Sequence, residues 1–264
     1  MNYNDHYNLC RDNYSQSSYE TYESIYDLRI DEKIFSLDSQ YKKLVDMIST
    51  QVDASFNDEK NFIKEDLIFK LMNWRGIKEI YELANLFCPI LEKKVFKSNV
   101  SVEFVHPYRN VYTKNNVKNS WLWHYDDCPR EFVKLMVYLN DVTENNAPMQ
   151  HLTHDLYGPL LMRSSKIGIN QTSQKIFDGS RLPNHEIDRL KKLGYKKKSF
   201  VGKKGHSILF SPNIVHRATI PKENFHRDAI VFFIRPCLSK RDEYINRKTC
   251  TWDSPRDVKK YKYD

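Results

Sequence analysis

A histidine and an aspartate stand two positions apart, at His124 and Asp126, in the segment WLWHYDDC. In an extended chain, side chains at i and i+2 leave the same face about 6.5–7 Å apart, so their tips can converge on one cation. Two histidines and one carboxylate form the ligand set of many non-haem Fe(II) sites and leave coordination positions open. The dyad therefore indicates half of a metal site and requires a second histidine from elsewhere.

The best candidate for that histidine is His216, in the segment GHSILFSPNIVHRATIPKENFHRDAIVFFIRP. It follows a short apolar run and the turn SPN, and Arg227 opens the next apolar run eleven residues later. Asp127 is a rival carboxylate, but at i+3 from the dyad histidine it points to the other side of an extended strand. It suits a turn or a bond to a ligand histidine better. His226, ten residues further along the chain, is a rival histidine.

Two patterns of apolar residues divide the chain into elements that could position these residues. Apolar residues recur at spacings of three and four before about residue 95, which is typical of helices, and short apolar alternations follow, which are typical of strands. This order favours an antiparallel β core with helices packed on one side. The predicted organisation is a polar, loosely ordered arm at 1–30 and a single catalytic domain at 31–264. Within that domain we expect a helical layer at about 37–95, a β core at about 98–238 and a lid-like insertion at about 163–200.

The composition permits a sizeable core and excludes several classes of protein. Of 264 residues, 40% are hydrophobic and 13% aromatic, which argues against global disorder. The net charge of +8 is spread over short lysine runs and forms no recognisable nucleic-acid module. The five cysteines are far apart and contain no CxxC pair, so neither a disulfide framework nor a zinc knuckle is indicated. Without a leader-like or spanning apolar segment, the sequence predicts a cytoplasmic protein with no membrane partner.

The paired segments WHYDD…KLMVYLNDVTENNAPMQ and GHSILFSPNIVHRA…HRDAIVFFIRP resemble the phytanoyl-CoA dioxygenase-like family of Fe(II)/2-oxoglutarate oxygenases. The match consists of the HxD dyad, the phrase YLNDVTENNAP at 138–148, the distal histidine and the arginine eleven residues beyond it. It covers roughly residues 98–236. The departure is Asn146-Ala147, which replaces the usual glycine of the turn and puts the geometry of that turn in question.

This resemblance implies a double-stranded β-helix, a cupin-like jelly roll whose mouth holds the metal. His124, Asp126 and His216 would be the iron ligands. Arg227 would bind the distal carboxylate of 2-oxoglutarate, because a guanidinium offers two parallel donors to a carboxylate. Arg109 would lie near the cosubstrate or the mouth of the site, and the alternative for it is a solvent-facing residue.

Lys134 and Tyr112 are further candidates for contacts with the cosubstrate. Alternation in the strand FVKLMVYLN places Lys134 on one face with every second residue, and that face meets either the cavity or solvent. Facing the cavity, the lysine could meet an anionic substrate or 2-oxoglutarate. Of the two tryptophans beside the dyad, Trp121 and Trp123, at least one is expected to pack against the helical layer, and the other could line the pocket.

The function implied is hydroxylation of a small molecule, with O₂ consumed and 2-oxoglutarate decarboxylated to succinate and CO₂. Asp126 is retained as a carboxylate, whereas halogenating relatives have a small residue there, so hydroxylation is favoured. The lysines of the 163–200 insertion would suit an anionic substrate. Two alternatives remain: the same chemistry on a nucleic acid, which is less favoured, or on a protein side chain, and a jelly-roll binding protein without catalysis.

Overall fold

The computed structural model describes the chain in ranges separated by short gaps. These ranges are 2–14, 25–33, 35, 39–65, 68–114, 119–164, 166–168, 171–172, 180–240 and 242–245. Residues 15–24 of the predicted arm, much of 165–179 in the predicted insertion and the segment 246–264 lie outside them.

Four helices and thirteen strands are present in these ranges. The helices are α1 (Tyr3–Asp12), α2 (Ser39–Ser55), α3 (Lys78–Leu91) and α4 (Asn184–Lys192). The strands are β1 (Ile30–Asp31), β2 (Phe62–Glu65), β3 (Ile68–Leu71), β4 (Asn99–Asn110), β5 (Val133–Tyr138), β6 (Gln150–His154), β7 (Gly158–Pro159), β8 (Lys166–Gly168), β9 (Gln171–Thr172), β10 (Lys196–Ser199), β11 (Ser207–Phe210), β12 (His216–Arg217) and β13 (Arg227–Cys237).

Two antiparallel sheets form the core. The larger has seven strands in the order β1-β11-β5-β13-β4-β3-β2, and the smaller has the order β10-β6-β12 with β7 paired to β6. Residues of both sheets share one buried cluster, which includes Met136 of β5, Met149 beside β6 and Phe200 beside β10. The two sheets therefore face each other across an apolar interior, as in the predicted double-stranded β-helix.

The outer face of the larger sheet is covered by helices, also as predicted. Val133, Leu135 and Val137 of β5 belong to the same buried cluster as the apolar faces of α2 and α3. The alternate residues of β5, among them Lys134 and Met136, project to the other face, between the sheets. Both faces of this strand are buried, because one contacts the helices and the other contacts the interior.

Two N-terminal segments differ from the predictions. The expected loosely ordered arm contains α1, whose side chains Tyr3, His6, Tyr7 and Cys10 are buried. Its core-facing positions are mostly polar aromatic or titratable residues, so aliphatic periodicity does not reveal this helix. The expected helical layer also contains the hairpin β2–β3, which adds to the larger sheet beside β4.

The predicted lid-like insertion is partly core. It contains the helix α4, but the strand that follows this helix, β10, pairs with β6 along its full length. Residues 196–199 therefore belong to the smaller sheet. The prediction of a lid-like element remains only for earlier positions, some of which lie outside the described ranges.

Two absences concern only the ranges described above. No helix there is long and apolar enough to cross a membrane. The four cysteines that fall within them, Cys10, Cys88, Cys128 and Cys237, are buried and free of disulfides.

The turn that lacks the usual glycine contains a strained residue. Ala147 has φ 62° and ψ 62°, the left-handed region that costs a residue with a Cβ about 1–2 kcal/mol. The turn keeps its shape because Thr143 and Asn146 cap the preceding 3₁₀ turn reciprocally. Alanine is thus accommodated at position 147 without loss of the turn, but the protein is less stable than it would be with glycine there.

Ala147→Gly should raise the free energy of unfolding by about 0.5–1 kcal/mol, because glycine adopts this conformation without steric strain but loses more chain entropy. Urea denaturation of the purified protein measures the change. The same substitution inside α3, Ala84→Gly, should lower stability by about 1 kcal/mol or more. A destabilised Ala147→Gly variant would contradict the strain at this turn.

Candidate active site

Backbone pairing brings the dyad and the distal histidine together. His124 and His216 exchange both backbone hydrogen bonds, with N···O distances of 3.0 and 2.9 Å. The Asp126 amide donates to the carbonyl of Pro212 at 3.0 Å and continues this pairing. Directly opposed residues in an antiparallel pair project from the same face, so both imidazoles lie on one side. Their ring centroids are 4.4 Å apart.

Each histidine is held in one tautomer. The Nδ1 of His124 lies 2.8 Å from the carbonyl oxygen of Leu122, and the Nδ1 of His216 lies 2.8 Å from that of Ile214. A carbonyl oxygen only accepts, so each Nδ1 carries the proton and donates it. Each Nε2 therefore presents an unprotonated lone pair, the form in which histidine binds metals.

The three predicted ligands converge. Their ligand atoms all lie within 4.8 Å of one another. Nε2 of His124 is 3.7 Å from Oδ1 of Asp126, and Nε2 of His216 is 3.7 Å from Oδ2. Two lone pairs and a carboxylate aimed at one point repel each other unless a cation lies between them. This donor set fits a divalent transition metal with open coordination positions.

Burial and charge keep the cluster in its ligand form. Burial lowers the pKa of His216 to about 3 and also lowers the pKa of His124. Burial opposes ionisation of Asp126, but the Lys134 ammonium and the two histidines lower the pKa of its carboxyl to about 2. Near neutral pH the cluster holds two neutral imidazoles and one carboxylate.

Arg227 is a buried cation at the other side of the same pocket. It is 2% exposed, and its guanidinium donates to the carbonyl of Ala147 at 2.6 Å and to the Tyr108 hydroxyl at 3.0 Å. Its Nε has no hydrogen-bond partner, and no carboxylate pairs with it in the described part of the chain. An uncompensated buried charge is costly, so this guanidinium is a ready site for an anion.

One pocket contains all of these groups. It opens between the two sheets at the ligand cluster, and apolar and polar side chains line it in equal number. The lining residues are Ile68, His106, Tyr108, Ser120, Trp121, His124, Asp126, Lys134, Met136, Met149, Phe210, His216, Ala218, Arg227, Val231 and Phe233. Lys134 is therefore on the cavity face of β5, the face on which it could meet an anion.

Arg109 does not reach this pocket. It is paired in register with Asp228, and it forms two 2.7 Å hydrogen bonds with the Asp228 carboxylate and one of 2.5 Å with Asp53 of α2. Its neighbour Tyr108 lines the cavity, so alternation along β4 turns Arg109 toward the helices. His226 lies on that same side, with Nε2 3.5 Å from Asp228, away from the ligand cluster.

The remaining candidate residues also divide into those that line the pocket and those that do not. Tyr112 is 38% exposed and does not line the pocket. Trp121 lines it, whereas Trp123 packs in a separate apolar cluster. Asp127 has φ 54°, a left-handed turn position that aspartate tolerates better than most residues. Its predicted role in a turn fits this backbone.

Tyr108, Phe210 and Phe233 were missed as site residues. Tyr108 holds the guanidinium of Arg227, and the two phenylalanine rings flank Lys134 on the neighbouring strands. Period-two alternation from Arg227 along its strand would have placed Phe233 on the cavity face. The sequence alone could not identify Tyr108 and Phe210 as pocket residues, because their positions depend on the register between strands.

Solved structures with low sequence identity share this fold. EctD from S. alaskensis with bound Fe matches over 84% of this chain and 82% of its own, with a TM-score of 0.52 and 16% identity. EctD with 2-oxoglutarate and 5-hydroxyectoine matches over 89% and 85%, with a TM-score of 0.53 and 15% identity. The non-heme alpha ketoglutarate dependent epimerase SnoN from nogalamycin biosynthesis matches over 88% and 83%, with a TM-score of 0.51 and 12% identity.

At these identities the similarity establishes the architecture and confirms the predicted double-stranded β-helix. No protein-family model matches the sequence, and no curated protein matches it either.

Divalent metal should stabilise the protein through this cluster. At a hundredfold excess over its dissociation constant, Mn(II) or anaerobic Fe(II) should add about 2.7 kcal/mol to the free energy of unfolding, because only the folded chain assembles the three ligands. Thermal unfolding with and without metal measures the effect. His124→Ala and His216→Ala should abolish it, and His185→Ala, at an exposed histidine of α4 outside the cluster, should retain it. Equal stabilisation of all three variants would contradict the assignment.

Proposed function

We propose that this chain is an Fe(II)- and 2-oxoglutarate-dependent oxygenase that hydroxylates a small molecule. The observation that carries the proposal is the convergence of two fixed Nε2 lone pairs and one carboxylate within 4.8 Å. A structural cluster of buried histidines would be expected to direct its free nitrogens at donors. Here they face each other and Asp126.

A second observation supports the cosubstrate. Arg227 is a buried guanidinium without a carboxylate partner in the described ranges, and it lines the same pocket as the ligands. A dicarboxylic acid can bind the metal with one end and this guanidinium with the other. Arg227 and His216 also match the spacing of the phytanoyl-CoA dioxygenase-like motif, which supports the finer family assignment.

Each side chain has a role that follows from its position. His124, Asp126 and His216 would hold the iron, with Nδ1–H donation to backbone carbonyls fixing both rings. Tyr108 and the Ala147 carbonyl orient the Arg227 guanidinium.

When bound, the metal and 2-oxoglutarate supply the oxidative chemistry, in which O₂ and 2-oxoglutarate give succinate, CO₂ and an oxidised substrate. The apolar and aromatic part of the pocket lining would contact the substrate and orient it.

The solved structures that share the fold are consistent with this chemistry. EctD has been solved with Fe and with 2-oxoglutarate and 5-hydroxyectoine, and SnoN is described as alpha ketoglutarate dependent. Because SnoN is an epimerase, the shared fold by itself does not favour hydroxylation. Hydroxylation is proposed because it is the outcome that the matched motif implies.

Turnover of 2-oxoglutarate to succinate tests the proposed chemistry. With Fe(II), ascorbate and O₂, the wild-type protein should form succinate slowly alone and faster with the metabolite fraction that contains its substrate. His124→Ala, Asp126→Ala and His216→Ala should reduce the rate to that without protein, whereas His226→Ala should stay near wild type. Mass spectrometry of the consumed metabolite should show a gain of one oxygen atom. Turnover that survives loss of a ligand would contradict the proposal.

Arg227→Met should weaken 2-oxoglutarate binding by about 30-fold or more, since removing one partner of a buried charge pair costs roughly 2–5 kcal/mol. Metal binding should be unchanged. Calorimetry with Mn(II)-loaded protein measures both. Arg130→Met, at an exposed arginine stacked on Tyr26, is the matched control. An unchanged affinity in Arg227→Met would remove this residue from the cosubstrate site.

A further inference from the structure

Lys134 is a second cation in the pocket, buried beside the ligand cluster. It is 9% exposed, and its Nζ lies 2.6 Å from Oδ2 of Asp126. In register it lies between Phe210 and Phe233, and Nζ is 4.5 Å from the centroid of the Phe233 ring. Aromatic walls on both sides keep the stem in place and direct the ammonium into the cavity.

The charges of the pocket do not balance when the proposed ligands are bound. Among the described residues, Asp126, Lys134 and Arg227 are the charged ones that line it, and His124 and His216 face the cluster with unprotonated Nε2 atoms. A divalent metal and dianionic 2-oxoglutarate cancel each other, and Asp126 cancels only one of the two cationic side chains. One positive charge is left over. A bound metal also takes over the neutralisation of the Asp126 carboxylate, so the charge of Lys134 is the surplus one.

Lys134 and Arg227 are attached far apart along the sheet. Arg227 and Phe233, the register partner of Lys134, are six positions apart on β13, roughly 20 Å at 3.3 Å per residue. The two side chains nevertheless approach each other at the ligand cluster, where Nζ of Lys134 contacts Asp126. One five-carbon diacid that extends from Arg227 to the metal ligands therefore ends beside this ammonium and leaves the wall at Phe210 and Phe233 uncovered. That wall, on the Lys134 side of the pocket, remains for another molecule.

A neutral hydrogen-bond donor, the indole N–H of Trp121, also lines the pocket. Trp121 is 5% exposed, and its indole Nε1 has no hydrogen-bond partner in the described part of the chain. A buried indole N–H without an acceptor costs free energy that an incoming oxygen would recover. An ammonium and an indole N–H together match the two oxygens of a carboxylate.

We propose that the Lys134 side of the pocket binds a carboxylate of the primary substrate, which makes the substrate a small monocarboxylic acid. This inference rests on the proposed function. Lys134 neutralises the carboxylate, Trp121 donates to its second oxygen, and Phe210 and Phe233 contact the apolar part of the molecule next to it. The substrate is thereby held beside Asp126, within reach of the metal.

Matched probes that differ only in charge test the proposal. The wild-type protein is saturated with Mn(II) and 2-oxoglutarate and titrated by calorimetry with phenylacetate against phenylacetamide and with hexanoate against hexanamide. Each acid should bind at least about tenfold more tightly than its amide while 2-oxoglutarate stays bound. Equal affinities would overturn the proposal. Wild-type protein that fails to bind Mn(II) or 2-oxoglutarate would contradict the proposed function itself, and this inference with it.

Variants then assign the preference to its residues. Lys134→Met should keep Mn(II) and 2-oxoglutarate binding and lose the preference for acids, Lys134→Arg should retain it, and Trp121→Phe should reduce it several-fold. Lys203→Met, the same change at a lysine with an 89% exposed side chain, should have no effect. A preference that survives Lys134→Met would overturn the proposal. If that variant does not fold, the wild-type comparison and Trp121→Phe still decide.

Discussion

The mutual repulsion of three electron-rich groups is the constraint on which the site depends. His124 and His216 are fixed by backbone pairing, and each ring is rotated by a hydrogen bond from Nδ1 to a carbonyl two residues earlier. Their free nitrogens then have no direction left except toward Asp126. Formation of the sheet thus brings these three groups together in the proposed cation site, and the close packing of the strands prevents the groups from moving apart.

Strand alternation sorts the charged residues of the larger sheet into two separate systems. Toward the helices, Arg109 and Asp228 neutralise each other, so the charge there is internally satisfied. Toward the interior, Arg227 has no carboxylate within the described ranges, and Lys134 shares Asp126 with any bound metal. On β13 the paired Asp228 and the unpaired Arg227 are therefore consecutive residues that point to opposite faces of the sheet.

The sequence was informative where the signal is local. Spacing of two in an extended chain identified the dyad, and the distal histidine was recognisable from the turn before it and the arginine after it. It was harder to predict which face of a strand a residue lies on. Both faces of β4 and β5 are buried, so no regular alternation of polar and apolar residues distinguishes the two faces. Arg109 was therefore expected near the pocket or in solvent, whereas its side chain points toward the helices. The sequence did not decide which face of its strand Lys134 lies on. Helix α1 was missed because it packs through Tyr3, His6 and Tyr7 rather than aliphatic residues.

The position of β13 determines when the protein can complete its fold. This strand lies in the middle of the larger sheet, yet it is the last strand in chain order among the described residues, and its partners β4 and β5 precede it by long stretches. Such non-local pairing makes folding slow, because loop closure must be completed before the contacts form. During synthesis the centre of the sheet stays open until β13 has emerged. The pocket therefore acquires its final geometry only after β13, which carries Arg227 and Phe233, has paired with β4 and β5.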